Sequence, residues 1–209
     1  MNYTIDDIKD DLRRYTEKEF YTKHIIRSYN WYFENYMKKR SDEVIKILDD
    51  YRLIISENLN VSFNSVMMVG SGKLGFSLSP PNESDNKLFK PFNDNAKDRK
   101  VSDIDIAIIS SEIFHHYWNL FRHSYKHKYK STYDYIYVGL YRGYIDERNI
   151  TMVEGCRKEW NETAAISKNK LHSDLYIKHD ISYRIYRSWE DFEDYNLQNL
   201  RKIKKEVIL

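Results

Sequence analysis

Apolar positions recur at helical spacing through the first 58 residues. Ile5, Ile8, Leu12 and Tyr15 share one face of a helix that Thr4 and Asp7 open as a capping pair. Phe20, Ile25, Tyr29, Tyr32 and Tyr36 carry the pattern over 17–37, as one long helix or as a second one. Ser41 opens another, with Val44, Leu48, Tyr51 and Ile55 inward. The period then changes. FNSVMMV (63–69) predicts a strand that runs into Gly70-Ser71-Gly72-Lys73-Leu74-Gly75. All three prolines, Pro80, Pro81 and Pro91, stand among asparagines and aspartates, which predicts a long loop over 80–100. VSDIDIAIIS (101–110) predicts a second strand, and Ser110 or Ser111 caps an aromatic helix reaching about residue 128. Residues 131–145 fit neither period, 152–168 lean helical, and 179–189 alternate as a strand. Ser188 with Asp191 opens a last helix to about residue 205. The order predicts an α+β fold: a small mixed sheet flanked by helices. Residues 1–58 form a helical N-terminal segment and 59–209 the sheet-bearing domain, or 1–209 form one domain.

Composition narrows the classes. With 209 residues, 41% hydrophobic and 32% charged, the chain can bury a core. A net charge of +2 excludes a polybasic protein, so any nucleic-acid contact must come from a local patch. Cys156 is the only cysteine, which rules out an intramolecular disulfide and fits a reducing compartment. The start, MNYTIDDIKDDLRR, lacks the apolar stretch of a signal peptide, and no run approaches the ~20 apolar residues of a membrane span. The expectation is a cytoplasmic protein with no membrane partner.

A glycine-rich turn after a strand lets backbone amides approach a phosphate, and three motifs compete for residues 70–75. As a P-loop, Gly72-Lys73 would need a glycine where Met67 stands and a hydroxyl where Leu74 stands. As a dinucleotide fingerprint, Gly70, Gly72 and Gly75 fit letter for letter, but Pro80-Pro81 leaves no room for the helix that must follow. The third reading is G-S-x-x-x-G followed by D-x-D on an apolar strand. Asp103 and Asp105 alternate on that strand and share a face, while Ile104, Ile106 and Ile108 face the core. Two neighbouring carboxylates repel unless a cation lies between them.

Gly70-Ser71 with Asp103-Ile104-Asp105 resembles the DNA polymerase β-like nucleotidyltransferase superfamily. The resemblance covers about residues 63–110. It implies a sheet of the nucleotidyltransferase type, with Gly70 and Ser71 holding the β/γ-phosphates of a nucleoside triphosphate. Lys73 and Gly75 lie in the same cradle. It implies that Asp103 and Asp105 ligate magnesium in a two-metal site, manganese being the substitute. It also asks for a third carboxylate on a neighbouring strand. Asp180, which begins HDISYRIYRSW, is the preferred candidate, with Asp174 and Asp146 as rivals. The implied activity is transfer of a nucleoside monophosphate from the triphosphate to an acceptor (RNA, protein or small molecule), with release of pyrophosphate. The alternative is a degenerate module that binds a nucleotide or RNA without turnover, as in a defence or toxin–antitoxin system. The family places its two motifs closer together. Here Ser102 follows Ser71 by 31 positions, and the Pro/Asn loop reads as an insertion beside the site.

Plainer readings stand beside these. The glycines can mark a tight turn, Asp103 and Asp105 can be strand-edge carboxylates, Asp180 a solvated strand start, and Lys73 a surface lysine. His123 and His127 have an i, i+4 spacing able to hold zinc, but neither a glutamate as in H-E-x-x-H nor a cysteine cluster accompanies them. From Arg122 to Lys130, cations alternate with Tyr125 and Tyr129. That run is either a solvated helix end or a surface for nucleic acid.

Overall fold

The computed structural model describes residues 3–27, 29–81, 87–93 and 101–208. Thr4 and Asp7 form a reciprocal capping box at the start of α1 (Ile5–Arg14), which buries Ile8 and Leu12. Thr16 and Glu19 repeat the device at α2 (Glu17–Phe20). The chain then widens into π-helical turns, Tyr21–Ile26 and Tyr32–Tyr36, with Tyr29 and Asn30 outside any helix. Residues 17–37 are therefore neither one long helix nor a second regular one. α3 (Ser41–Leu59) follows as expected.

Phe63–Ser65 form a 3-10 turn, so β1 is shorter than the sequence pattern suggests (Val66–Val69). Gly70–Leu74 make a single helical turn, α4. β2 (Ile104–Ile109) begins three residues inside the predicted strand, so Val101, Ser102 and Asp103 precede it. α5 (Ser111–Ser124) is capped by Ser110, whose hydroxyl accepts from the Ile113 amide at 3.2 Å, and it ends before residue 128. The ambiguous 131–145 region resolves into α6 (Lys130–Tyr141) and the start of β3 (Tyr144–Asp146). α7 (Glu147–Met152), α8 (Glu154–Asp174), β4 (Ile181–Tyr186) and α9 (Trp189–Ile208) complete the chain.

The fold class is α+β. Among the described residues four strands form one open mixed sheet in the order β1-β2-β4-β3. β3 runs antiparallel to β4, with Ile145 opposite Ile185 and Asp146 opposite Arg184. The Ser110 amide donates to the Tyr186 carbonyl at 2.9 Å, joining the C-terminal ends of β2 and β4, which therefore run parallel.

Two compact units share the chain. The first comprises 1–44, 68–105 and 193–209. In it Ile8, Leu12, Phe20, Tyr32 and Phe33 are fully buried. Lys204 ties α9 to the start of the chain, donating to the Tyr15 carbonyl at 2.8 Å. The second comprises 45–67 and 106–192. Its core is aromatic: Trp160 meets Tyr117 and Tyr183 edge-on, at 5.5 and 5.7 Å between ring centroids. Beside them lies the buried carboxylate of Glu147. It accepts from the Trp160 indole at 2.7 Å, the Lys168 ammonium at 2.7 Å and the Tyr183 amide at 2.9 Å, so a charge in the core is fully paired.

Candidate nucleotide site

Gly70, Ser71, Asp103 and Asp105 all belong to the first unit. The chain leaves β1 and turns sharply at Gly70, whose φ is +66°. Only glycine takes that conformation without strain. The missing side chain also has a spatial consequence. A Cβ on Gly70 would stand 3.3 Å from Cγ of Asp105 and closer still to its Oδ2. The Asp105 carboxylate thus lies against the backbone of the glycine turn, across 35 residues of sequence.

Both acids are half-buried. Asp105 lies inside β2, on the face opposite the buried Ile104, Ile106 and Ile108. Asp103 stands just before the strand, and no described residue gives its carboxylate a hydrogen bond or an ion pair. The Ser71 hydroxyl, also half-buried, likewise bonds to no described residue. A carboxylate and a hydroxyl partly withdrawn from bulk water and without partners among the described residues are groups able to take a ligand.

The other residues of the turn serve the fold. Gly72 is packed against Ile104 and Met68, where a Cβ would meet the Ile104 Cδ1 at 3.1 Å. Gly75 is a left-handed cap with φ +88°; its amide donates to the Ser71 carbonyl at 2.8 Å and the Trp31 ring covers its Cα. Lys73 is not a surface lysine. It is only 5% exposed, and its ammonium donates to the Arg27 carbonyl at 2.7 Å, tying the glycine turn to the end of the first π-helical segment. Nothing in its sequence neighbourhood distinguishes it from an exposed lysine.

The Pro/Asn insertion returns to its starting point. Phe76 bridges Pro91, the Ser77 amide donates to the Lys90 carbonyl at 2.8 Å, and the Phe92 amide donates to the Gly75 carbonyl at 2.8 Å. Ser102 then pairs with Asn93 through backbone and hydroxyl. The flanks of the insertion are thus laced together next to α4. Residues 82–86 and 94–100, the rest of the predicted loop, lie outside the described residues.

Of the three candidates for a third carboxylate, Asp180 belongs to the second unit, is exposed, precedes β4, and bonds to no described residue. Asp146 is already engaged. Burial works against its charge, but Arg184, at 2.8 Å, and the Arg148 amide, at 3.1 Å, hold its carboxyl below the usual value. Asp174 is exposed and accepts from the neighbouring Ser173 hydroxyl. Among the described residues no three His, Cys, Asp or Glu side chains gather as a metal-binding group. The histidine pair does not share a helix: α5 ends at Ser124, with His123 inside it and His127 in the following 3-10 turn.

No helix of the described residues is long and apolar enough to cross a membrane. No family model matches the chain, and neither a curated protein nor a solved structure matches it.

Proposed function

We propose that the protein is a metal-dependent nucleotidyltransferase built on a sheet of the nucleotidyltransferase type. It transfers a nucleoside monophosphate from a nucleoside triphosphate to an acceptor hydroxyl. The observation that carries this reading is the Asp105 carboxylate against the Gly70 backbone, with Ser71 and Asp103 beside them in sequence and bonded to no described residue. That juxtaposition joins the two halves of the motif despite the insertion between them.

The chain's own groups take the following parts. Ser71 and the backbone of the turn hold the terminal phosphates, because a hydroxyl and amides donate to phosphate oxygens. Asp103 and Asp105 supply carboxylate oxygens, the donor type that hard divalent cations prefer. Magnesium held by them would polarise the α-phosphate and screen the charge of the leaving pyrophosphate. The acceptor oxygen bonds to the α-phosphorus, the bond from that phosphorus to the β-bridging oxygen breaks, and pyrophosphate departs with the electron pair. The acceptor proton passes to solvent water. Lys73 and Gly75 support the turn from behind rather than contacting phosphate.

The test uses purified protein, magnesium, each α-labelled triphosphate, and total RNA and protein as acceptors. Transfer of label that is lost in Asp103→Asn and Asp105→Asn, with melting temperatures preserved, supports the enzyme. A second reading, a degenerate module that binds nucleotide without turnover, is favoured by the exposure of Asp180, which bonds to no described residue. Magnesium-dependent nucleotide binding without transfer from any of the four nucleotides would select it.

A further inference from the structure

Within the second unit, α6 turns an aromatic face to solvent. Tyr137 and Tyr141, one helical turn apart, are 70% and 83% exposed, and Tyr135 is 74% exposed. Lys130 and Asp134 lie on the same face at helical spacing. Tyrosines on an outward helix face need a reason, since they gain nothing there from burial. The charge around them is one-sided. Residues 122–142 carry five cations (Arg122, Lys126, Lys128, Lys130, Arg142) and one acid, Asp134. That is 5 − 1 = +4, against +2 for the whole chain, so the remainder sums to −2.

At the α5–α6 junction several donors converge. Lys128, Lys126 and the Tyr129 hydroxyl approach the same Oε2 of Glu154, at 3.4, 3.6 and 3.3 Å. These are long contacts between exposed groups, in which a single carboxylate oxygen occupies a place where two ammoniums and a hydroxyl point. Such pairs contribute little in water and exchange readily for a stronger anion. Tyr125, half exposed, stands edge-on to Tyr133 at 4.9 Å and extends the aromatic surface toward this cluster.

We infer that α6 and the junction before it form a binding surface for single-stranded RNA. The Tyr137 and Tyr141 rings stack on bases, and Lys126, Lys128 and Tyr129 take a phosphate in place of Glu154. Stacking on a π-face is indifferent to base identity and needs unpaired bases, and the cations track a backbone. The exposed tyrosines and the local positive charge together match that ligand, whereas an apolar protein partner would account for the rings and leave the charge unused. The inference stands independently of the transferase reading, since it rests on a surface of the second unit alone.

The experiment is fluorescence anisotropy with a labelled 20-nucleotide single-stranded RNA of mixed sequence, with an RNA duplex of the same length as control. Tyr137→Ala and Tyr141→Ala are each expected to weaken binding about tenfold. Lys126→Gln with Lys128→Gln should lower the slope of log affinity against log salt by about 1.4. Glu154→Gln should tighten binding, a gain that a merely structural glutamate would not produce. All these side chains are exposed, and melting temperatures verify the fold. Asp103→Asn should bind RNA as the parent does, so failure of the transferase reading leaves this result untouched. No binding by the parent at low salt, equal affinity for duplex, or unchanged affinity in both tyrosine variants overturns the inference. Self-association of the parent that the tyrosine variants abolish also overturns it, assigning the face to a second copy of the chain.

Discussion

At Gly70 the left-handed backbone and the carboxylate of Asp105 both exclude a side chain. Gly70→Ala is expected to cost about 1–2 kcal/mol for the backbone alone, and more if Asp105 cannot move aside. Because Asp105 is displaced, transfer should fall by roughly a hundredfold; melting temperature and label transfer measure the two effects separately. Glu147 presents the opposite case, a charge that the core cannot spare. Its removal in Glu147→Ala leaves the Trp160 indole, the Tyr183 amide and the Lys168 ammonium without their acceptor. The expected loss is about 3–5 kcal/mol, read as a lower denaturant midpoint. Single residues were unevenly legible. Asp103, Asp105, Gly70 and Ser71 stood out because acids in a β-rich run and a glycine turn each want a reason. Lys73 and Glu147 did not, because a buried ion is marked by its partners, and those lie far away in sequence.

Elements were legible where a cap and a period agreed. Ser110 is such a cap, and Ser110→Ala should destabilise the protein by about 1 kcal/mol through α5. The wide turns of 21–26 and 32–36 shift the register of buried positions, so a regular helical period describes them poorly. α6 was ambiguous for a different reason: its outer face carries tyrosines, which erases the contrast between its two sides. β3 has three residues, too few to show an alternation. The first π-helical segment also carries a pH dependence. His24 is buried with its Nε2 2.6 Å from Asp11, and its Nδ1 has no hydrogen-bond partner among the described residues. Burial lowers its pKa below 6.5 in spite of the bond to Asp11. The folded state therefore binds fewer protons than the unfolded chain, so this contribution is fully present above pH 6.5 and is lost as pH falls below it. Chemical denaturation between pH 7 and 5 should show a slope that flattens in His24→Gln.

At the scale of the molecule, an α+β chain with a small sheet was readable from the order of periods. Its division into two interleaved units was not, because β1 and β2 are each split between them and no composition shift marks the change. The candidate site depends on the part of this organisation that returns residue 105 to residue 70 after the insertion. The most direct measurement is calorimetric titration of a non-hydrolysable triphosphate into the protein, with and without magnesium. Binding that requires magnesium and disappears in Asp103→Asn and Asp105→Asn, with melting temperatures preserved, is the predicted result. Binding that is indifferent to the metal and to both substitutions, or no binding by the parent protein, would contradict it.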